Sequence, residues 1–158
     1  MKKNARMAAT GFVIGLLWVI LFAGPASSHC EIPCGIYGDE TRFTMMREDI
    51  ATIEKSMKQI VELSKQAGPN QNQIVRWVQN KEYHADKIRD VATQYFMAQR
   101  VKPALSKGSA EQDAYVHKLK LLHLMVVYSM KCKQTTDLAH VEKLKQLVDR
   151  FEKAYLGN

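Results

Sequence analysis

The chain has 158 residues, room for one compact domain with a real core and too few for two ordinary ones. Its formal net charge is +7, but the lysines are spread along every segment and no aromatic residues interleave with them, which argues against a nucleic-acid partner. Three cysteines are an odd count for a disulfide framework.

Residues 1–28 read as a cleaved secretory signal. Lys2, Lys3 and Arg6 make a basic start, Gly11 to Gly24 is an uncharged and mostly apolar run, and Pro25 breaks the helix. Ala26 and Ser28 stand at positions −3 and −1 of a cut before His29. The apolar run falls short of the roughly 20 residues that span a bilayer comfortably, so a leader is preferred to an uncleaved anchor. A lipoprotein leader fits less well, because His29 precedes Cys30 where a small residue is wanted. The mature chain then starts at His29 in the periplasm or outside the cell, with no stable membrane association. Loss of Lys2, Lys3 and Arg6 lowers the formal charge from +7 to +4. That mild excess suits a solvated surface that also attracts small anions.

Residues 29–40, HCEIPCGIYGDE, form an irregular hook ahead of the helices. In a generic exported domain Cys30 and Cys34 would form a disulfide and leave Cys132 free or paired between chains.

From about Thr41 to Asn158 the apolar residues recur with a period near 3.6. Ile50, Ile53, Met57, Ile60, Val61 and Ser64 share the first face, and Gly68-Pro69-Asn70 ends that segment. A second run begins near Gln73 and carries Ile74, Trp77, Val78, Ile88, Val91, Ala92, Tyr95 and Phe96, stopping before Pro103. The third opens with Ser109 and Gln112 as a capping box, and its stripe is Tyr115, Leu119, Leu122, Val126 and Met130. Leu121, Leu124, Met125 and Val127 widen that stripe until little polar face is left, which marks a central or interface helix. Thr135-Thr136-Asp137 ends it and caps the fourth, whose stripe is Leu138, Val141, Leu144, Leu147, Val148, Phe151 and Tyr155. Four amphipathic segments joined by short turns, without strand alternation, predict an all-α, antiparallel four-helix bundle. Such a bundle folds without a disulfide, which weakens the staple reading of Cys30 and Cys34.

Chemistry is sparse in the bundle. Glu82 and His84, with Asp86 nearby, are too closely spaced on a helix to share a metal, and the paired Glu-x-x-His of di-iron bundles is missing. His117, His123 and His140 read as isolated side chains, and Met45, Met46, Met57, Met97, Met125 and Met130 as packing residues.

The hook is different. A cut before His29 frees an α-amine on a residue that also carries an imidazole, and Cys30 follows with an amide nitrogen and a thiolate. These donors lie along consecutive chelate rings, and the Glu31-Ile32-Pro33 turn can swing the Cys34 sulfur into a fourth position. A planar set of two nitrogens and two sulfurs favours Ni(II) or Cu(II) over tetrahedral zinc. Two thiolates beside Cu(II) tend towards Cu(I) and disulfide, which leaves nickel the better fit.

His29-Cys30-x-x-Pro33-Cys34-Gly35-x-Tyr37 resembles the N-terminal nickel hook of nickel-containing superoxide dismutases. The resemblance implies a homohexamer of four-helix bundles with one nickel ion per subunit, disproportionating superoxide to dioxygen and hydrogen peroxide through Ni(III)/Ni(II) cycling. It assigns as ligands the His29 amine and imidazole, the Cys30 amide and thiolate, and the Cys34 thiolate, with the imidazole axial. Tyr37 then lines the approach to the metal and positions a small anion or water. Glu31 accepts hydrogen bonds from the hook backbone, and Pro33 and Gly35 shape its turns. Family members also hold the imidazole with an acidic and a basic residue farther along the chain; Glu48, Asp49 and His84 are the candidates here, placed by no motif. Two other readings use the same residues: an exported bundle with a Cys30–Cys34 disulfide and an interaction role, and a nickel- or copper-binding protein without turnover.

Overall fold

The computed structural model describes residues 38–68, 70–104, 106 and 108–157, together with Gly15 and Trp18. The chain divides into two units, Met1–Ile32 and Pro33–Asn158. The first contributes only Gly15 and Trp18, both helical, so the leader expected over residues 1–28 otherwise lies outside the described residues.

Among its described residues the second unit has four helices. We label them α1 (Glu40–Lys65), α2 (Gln71–Asp90, continued by a π-helical stretch Val91–Arg100), α3 (Ala110–Gln134) and α4 (Leu138–Leu156). Side-chain contacts fix their directions. Asp49, early in α1, meets His84, late in α2, while Ser56 farther along α1 meets Asn80 farther back. Arg47 pairs with Glu152 and Asp149, and Glu54 with Lys145, so α1 and α4 also run in opposite senses. The unit is an antiparallel four-helix bundle, and no strand occurs among the described residues. No helix among them is long and apolar enough to cross a membrane.

The core follows the 3.6-residue period. Phe43, Met46, Ile50, Ile53 and Met57 of α1 face Ala85, Ile88, Ala92 and Phe96, then Leu121, Leu122 and Met125, and Val141, Leu144, Leu147, Val148 and Phe151. At one end the rings of Phe43, Phe96 and Phe151 converge, with centroids 4.9–5.8 Å apart. Each such ring removed from water contributes on the order of 25 cal/mol per Å² of apolar area.

Four local features depart from the sequence pattern. Val61 and Ser64 are exposed, so the buried face of α1 ends at Ile60. The second run is not one α-helix: from Val91 it widens, and Val101 N–H donates to the Phe96 carbonyl five residues back at 2.8 Å. On α3 the buried line is Leu121, Leu122, Met125, Ser129 and Cys132, while Met130 points outward and Tyr115, Leu119, Leu124 and Val126 are half-buried. Only half of the capping box forms as expected. Ser109 Oγ accepts from Gln112 N–H at 3.1 Å, but the Gln112 side chain accepts from Gly108 N–H instead of closing on Ser109. Asp137 does cap α4, accepting from Ala139 N–H at 2.9 Å.

Candidate functional site

The hook residues His29, Cys30, Glu31, Pro33, Cys34, Gly35 and Tyr37 lie outside the described residues. The point where the hook joins the bundle is described. Gly38, immediately ahead of Asp39, has φ +82°, a left-handed conformation open to glycine.

Asp39 is the centre of this junction. It stands at the N-cap of α1, yet its side chain caps nothing. Its Oδ1 accepts from Arg100 Nε and Nη2 at 3.0 and 2.8 Å and from the Tyr95 hydroxyl, and its Oδ2 accepts from the Tyr155 hydroxyl at 2.6 Å. Burial, the largest influence, raises the Asp39 carboxyl, but the donors Tyr155, Tyr95 and Arg100 outweigh it and hold the group below its ordinary 3.8. Both phenols are raised by burial and by donating to this carboxylate. Arg42 and Arg100 flank the Tyr95 ring, 4.8 and 5.3 Å from its centroid.

The π-helical stretch makes this cluster possible. In an α-helix, residues five apart diverge by about 140°, so Tyr95 and Arg100 could not serve one carboxylate. The wider turn brings them together. Beside them lies a groove of about 400 Å³ lined by Arg100, Lys102, Pro103, Tyr115, Lys118 and Tyr155, with Glu111 as its one acidic wall residue.

A second polar cluster sits between α1 and α2. Asp49 is only 2 % exposed, and its Oδ1 contacts His84 Nδ1 at 2.6 Å and Lys87 Nζ at 2.7 Å, while its buried Oδ2 has no partner. Two of the three residues proposed for the imidazole's support thus meet each other; Glu48 is exposed and stands apart from them. Lys81, 3 % exposed, donates to the carbonyls of Cys132, Lys133 and Thr135 at the end of α3. Cys132 is a free, fully buried thiol, and burial pushes it up to about 11. Among the described residues no group of three His, Cys, Asp or Glu side chains could hold a metal.

Sequence periodicity misses the Asp39 cluster, because a spacing of five marks no α-helical face and Tyr155 reads as an ordinary stripe residue. It also passes over Lys81, although a lysine in register with Ala85 and Ile88 on a buried face is a visible signal.

Fold and sequence together define a class: an all-α protein whose candidate metal donors are gathered in an extension ahead of the bundle. Comparison with known families narrows it, because residues 24–158 match the nickel-containing superoxide dismutase family. The chain belongs to that family, its cofactor is nickel, and its reaction is the disproportionation of superoxide to dioxygen and hydrogen peroxide. No curated protein and no solved structure matches the chain significantly.

Proposed function

We propose that signal cleavage after Ser28 itself assembles the catalytic centre, by exposing the His29 amine in an exported, periplasmic or extracellular, enzyme. The observation that carries this reading is the register of the nine-residue motif: its histidine stands directly behind the −1 residue of the leader. The donor set fits nickel. The His29 amine and imidazole, the Cys30 amide and the thiolates of Cys30 and Cys34 would hold the ion, one per chain. Nickel held there supplies a one-electron couple drawn into a useful range by its anionic thiolate and amidate donors.

The remaining roles belong to the chain. Tyr37 positions superoxide or water with its hydroxyl. Glu31 accepts from hook amides, and Pro33 and Gly35 restrict the turns. Arg100, Lys102 and Lys118 line a basic groove on the bundle, which favours collection of a small anion. Cys132, buried and held as a thiol, is a poor target for the peroxide formed. Homohexameric assembly accords with the apolar side chains that α3 leaves exposed, Val116 and Met130.

Intact mass and metal content of the exported protein, purified without reductant, test the proposal. A chain beginning at His29 with one nickel is expected. A chain that retains residues before His29 lacks the amine ligand and overturns it. A metal-free chain two hydrogens light is the Cys30–Cys34 disulfide form, and also overturns it.

A further inference from the structure

We propose that Asp39 is a positioning residue for the nickel hook: together with Tyr95, Arg100 and Tyr155 it latches the hook's exit to the bundle. This rests on the reading that His29–Cys34 hold the metal.

Four observations converge on the latch. First, the N-cap position is one where aspartate normally accepts from the helix's own N–H groups, and here it does not. The carboxylate is turned instead towards the π-helical stretch and α4, where three donor atoms meet Oδ1 and one meets Oδ2. Both oxygens are thus engaged away from the helix they precede. Second, the helix register itself is altered so that Tyr95 and Arg100 share that carboxylate, and such irregular turns recur at functional sites.

Third, the bundle does not need this cluster to hold the start of α1. Phe43 and Met46 are fully buried one turn on, and Arg47 binds Asp149 and Glu152 of α4. What the cluster does fix is the chain ahead of it. Fourth, Gly38, immediately ahead of Asp39, holds a left-handed φ of +82°. Tyr37 is two residues from Asp39 and Cys34 five, so at about 3.3–3.6 Å per residue the last thiolate ligand is tethered within about 18 Å of the latch. Freeing Asp39 lets the tether's origin wander, and with it the Cys34 sulfur and the Tyr37 hydroxyl.

The test uses the full mature chain, with nickel(II) alone as the probe. Asp39→Asn, Tyr95→Phe and Tyr155→Phe are compared with wild type for nickel affinity by chelator competition, for nickel–thiolate absorption, for kcat and KM separately, and for melting of the metal-free protein. The latch predicts about tenfold weaker nickel binding in Asp39→Asn, on the scale of lost outer-shell support. Its nickel–thiolate bands should broaden, with loss falling on kcat more than on KM. The two phenylalanine variants should move the same way by smaller factors, with the metal-free bundle melting within a few degrees of wild type. Wild-type nickel affinity and spectrum in Asp39→Asn would overturn the latch. Should that variant fail to fold, the same readings on the two tyrosine variants decide. A wild-type chain starting at His29 that takes up no nickel would instead sink the hook reading, a result distinct from an unaltered Asp39→Asn.

Discussion

Replacing Lys81 with Met separates what a buried charge does for this bundle from what its bulk does. The methionine keeps an aliphatic stem on the buried face that Lys81 shares with Ala85 and Ile88, and removes the ammonium. Three backbone carbonyls lose their donor: Cys132 at 2.7 Å, Thr135 at 3.1 Å, and Lys133 between them. These are the terminal acceptors of α3, the end at which a positive charge is favoured by about 0.3–1 kcal/mol, up to ~2 in buried settings. A buried carbonyl left unsatisfied costs about 1–3 kcal/mol. Against this stands the desolvation of the ammonium, which lowers the Lys81 pKa and is relieved in the variant. Exchanging both sides of a buried ion pair for apolar groups is often neutral, but here only one side is exchanged and the carbonyls remain. The Cys132 contact is buried and the other two are partly so, which leaves a net loss of about 3 kcal/mol. Residues 29–158 have an unfolding entropy of about 270 cal/mol/K, so the metal-free chain should melt about 10 °C lower. Thermal unfolding followed by circular dichroism reads this directly. Lys58→Met is the control, since Lys58 pairs with Glu54 four residues back on an exposed face and should change stability by less than about 0.5 kcal/mol. If Lys81→Met melted together with the control, the buried clamp would be a bystander and the reasoning would fail.

Other outcomes follow from the site. His29→Ala should leave nickel bound through the amine while sharply slowing turnover; dismutation at the wild-type rate in stopped-flow assays would rule out a part for the imidazole in turnover. Asp39 has a folded pKa below its unfolded value, so its contribution to stability is complete above pH ~3.8 and disappears as pH falls through the folded value. Acid titration of Asp39→Asn should therefore show a shallower loss of stability at low pH than wild type, and identical acid limbs would count against the cluster. Gly38→Ala must hold a left-handed φ of +82° with its Cβ 3.1 Å from Glu40 Oε2, a side chain able to move aside. The conformation itself should cost about 1–2 kcal/mol, visible as a lower midpoint in urea. Cys132, fully buried with its thiol raised to about 11, should resist alkylation in the native protein and react only as fast as the chain unfolds. Rapid labelling at neutral pH, located by peptide mass mapping, would show the bundle opening far more readily than its packing allows.

The features that were legible in the sequence and those that were not differ in physical kind. Four helices could be read because burial of one face imposes a period, and Ile50, Ile53, Met57, Leu144, Leu147, Val148 and Phe151 obey it. The hook motif stands out because chelation by consecutive amine, amide and thiolate donors would impose a local spacing whatever the bundle does behind it; its residues lie outside the described ones. The Asp39 cluster obeys neither constraint. Its members come from positions 39, 95, 100 and 155, and the two nearest in sequence meet only because the helix between Val91 and Arg100 is wound more widely than the period assumes. Residue type alone offers Asp49 and His84 as supports for the His29 imidazole; that they meet each other at 2.6 Å follows only from the antiparallel register of α1 and α2. The wide apolar surface of α3 conceals its inward line, since Ser129 and Cys132 are buried while Met130, on the stripe the period suggests, is exposed. Sequence thus reveals what is imposed locally, by chelate rings or by a helical period. The Asp39 cluster is imposed by tertiary register, and it becomes visible when one carboxylate is found to accept from donors in both the π-helical stretch and α4.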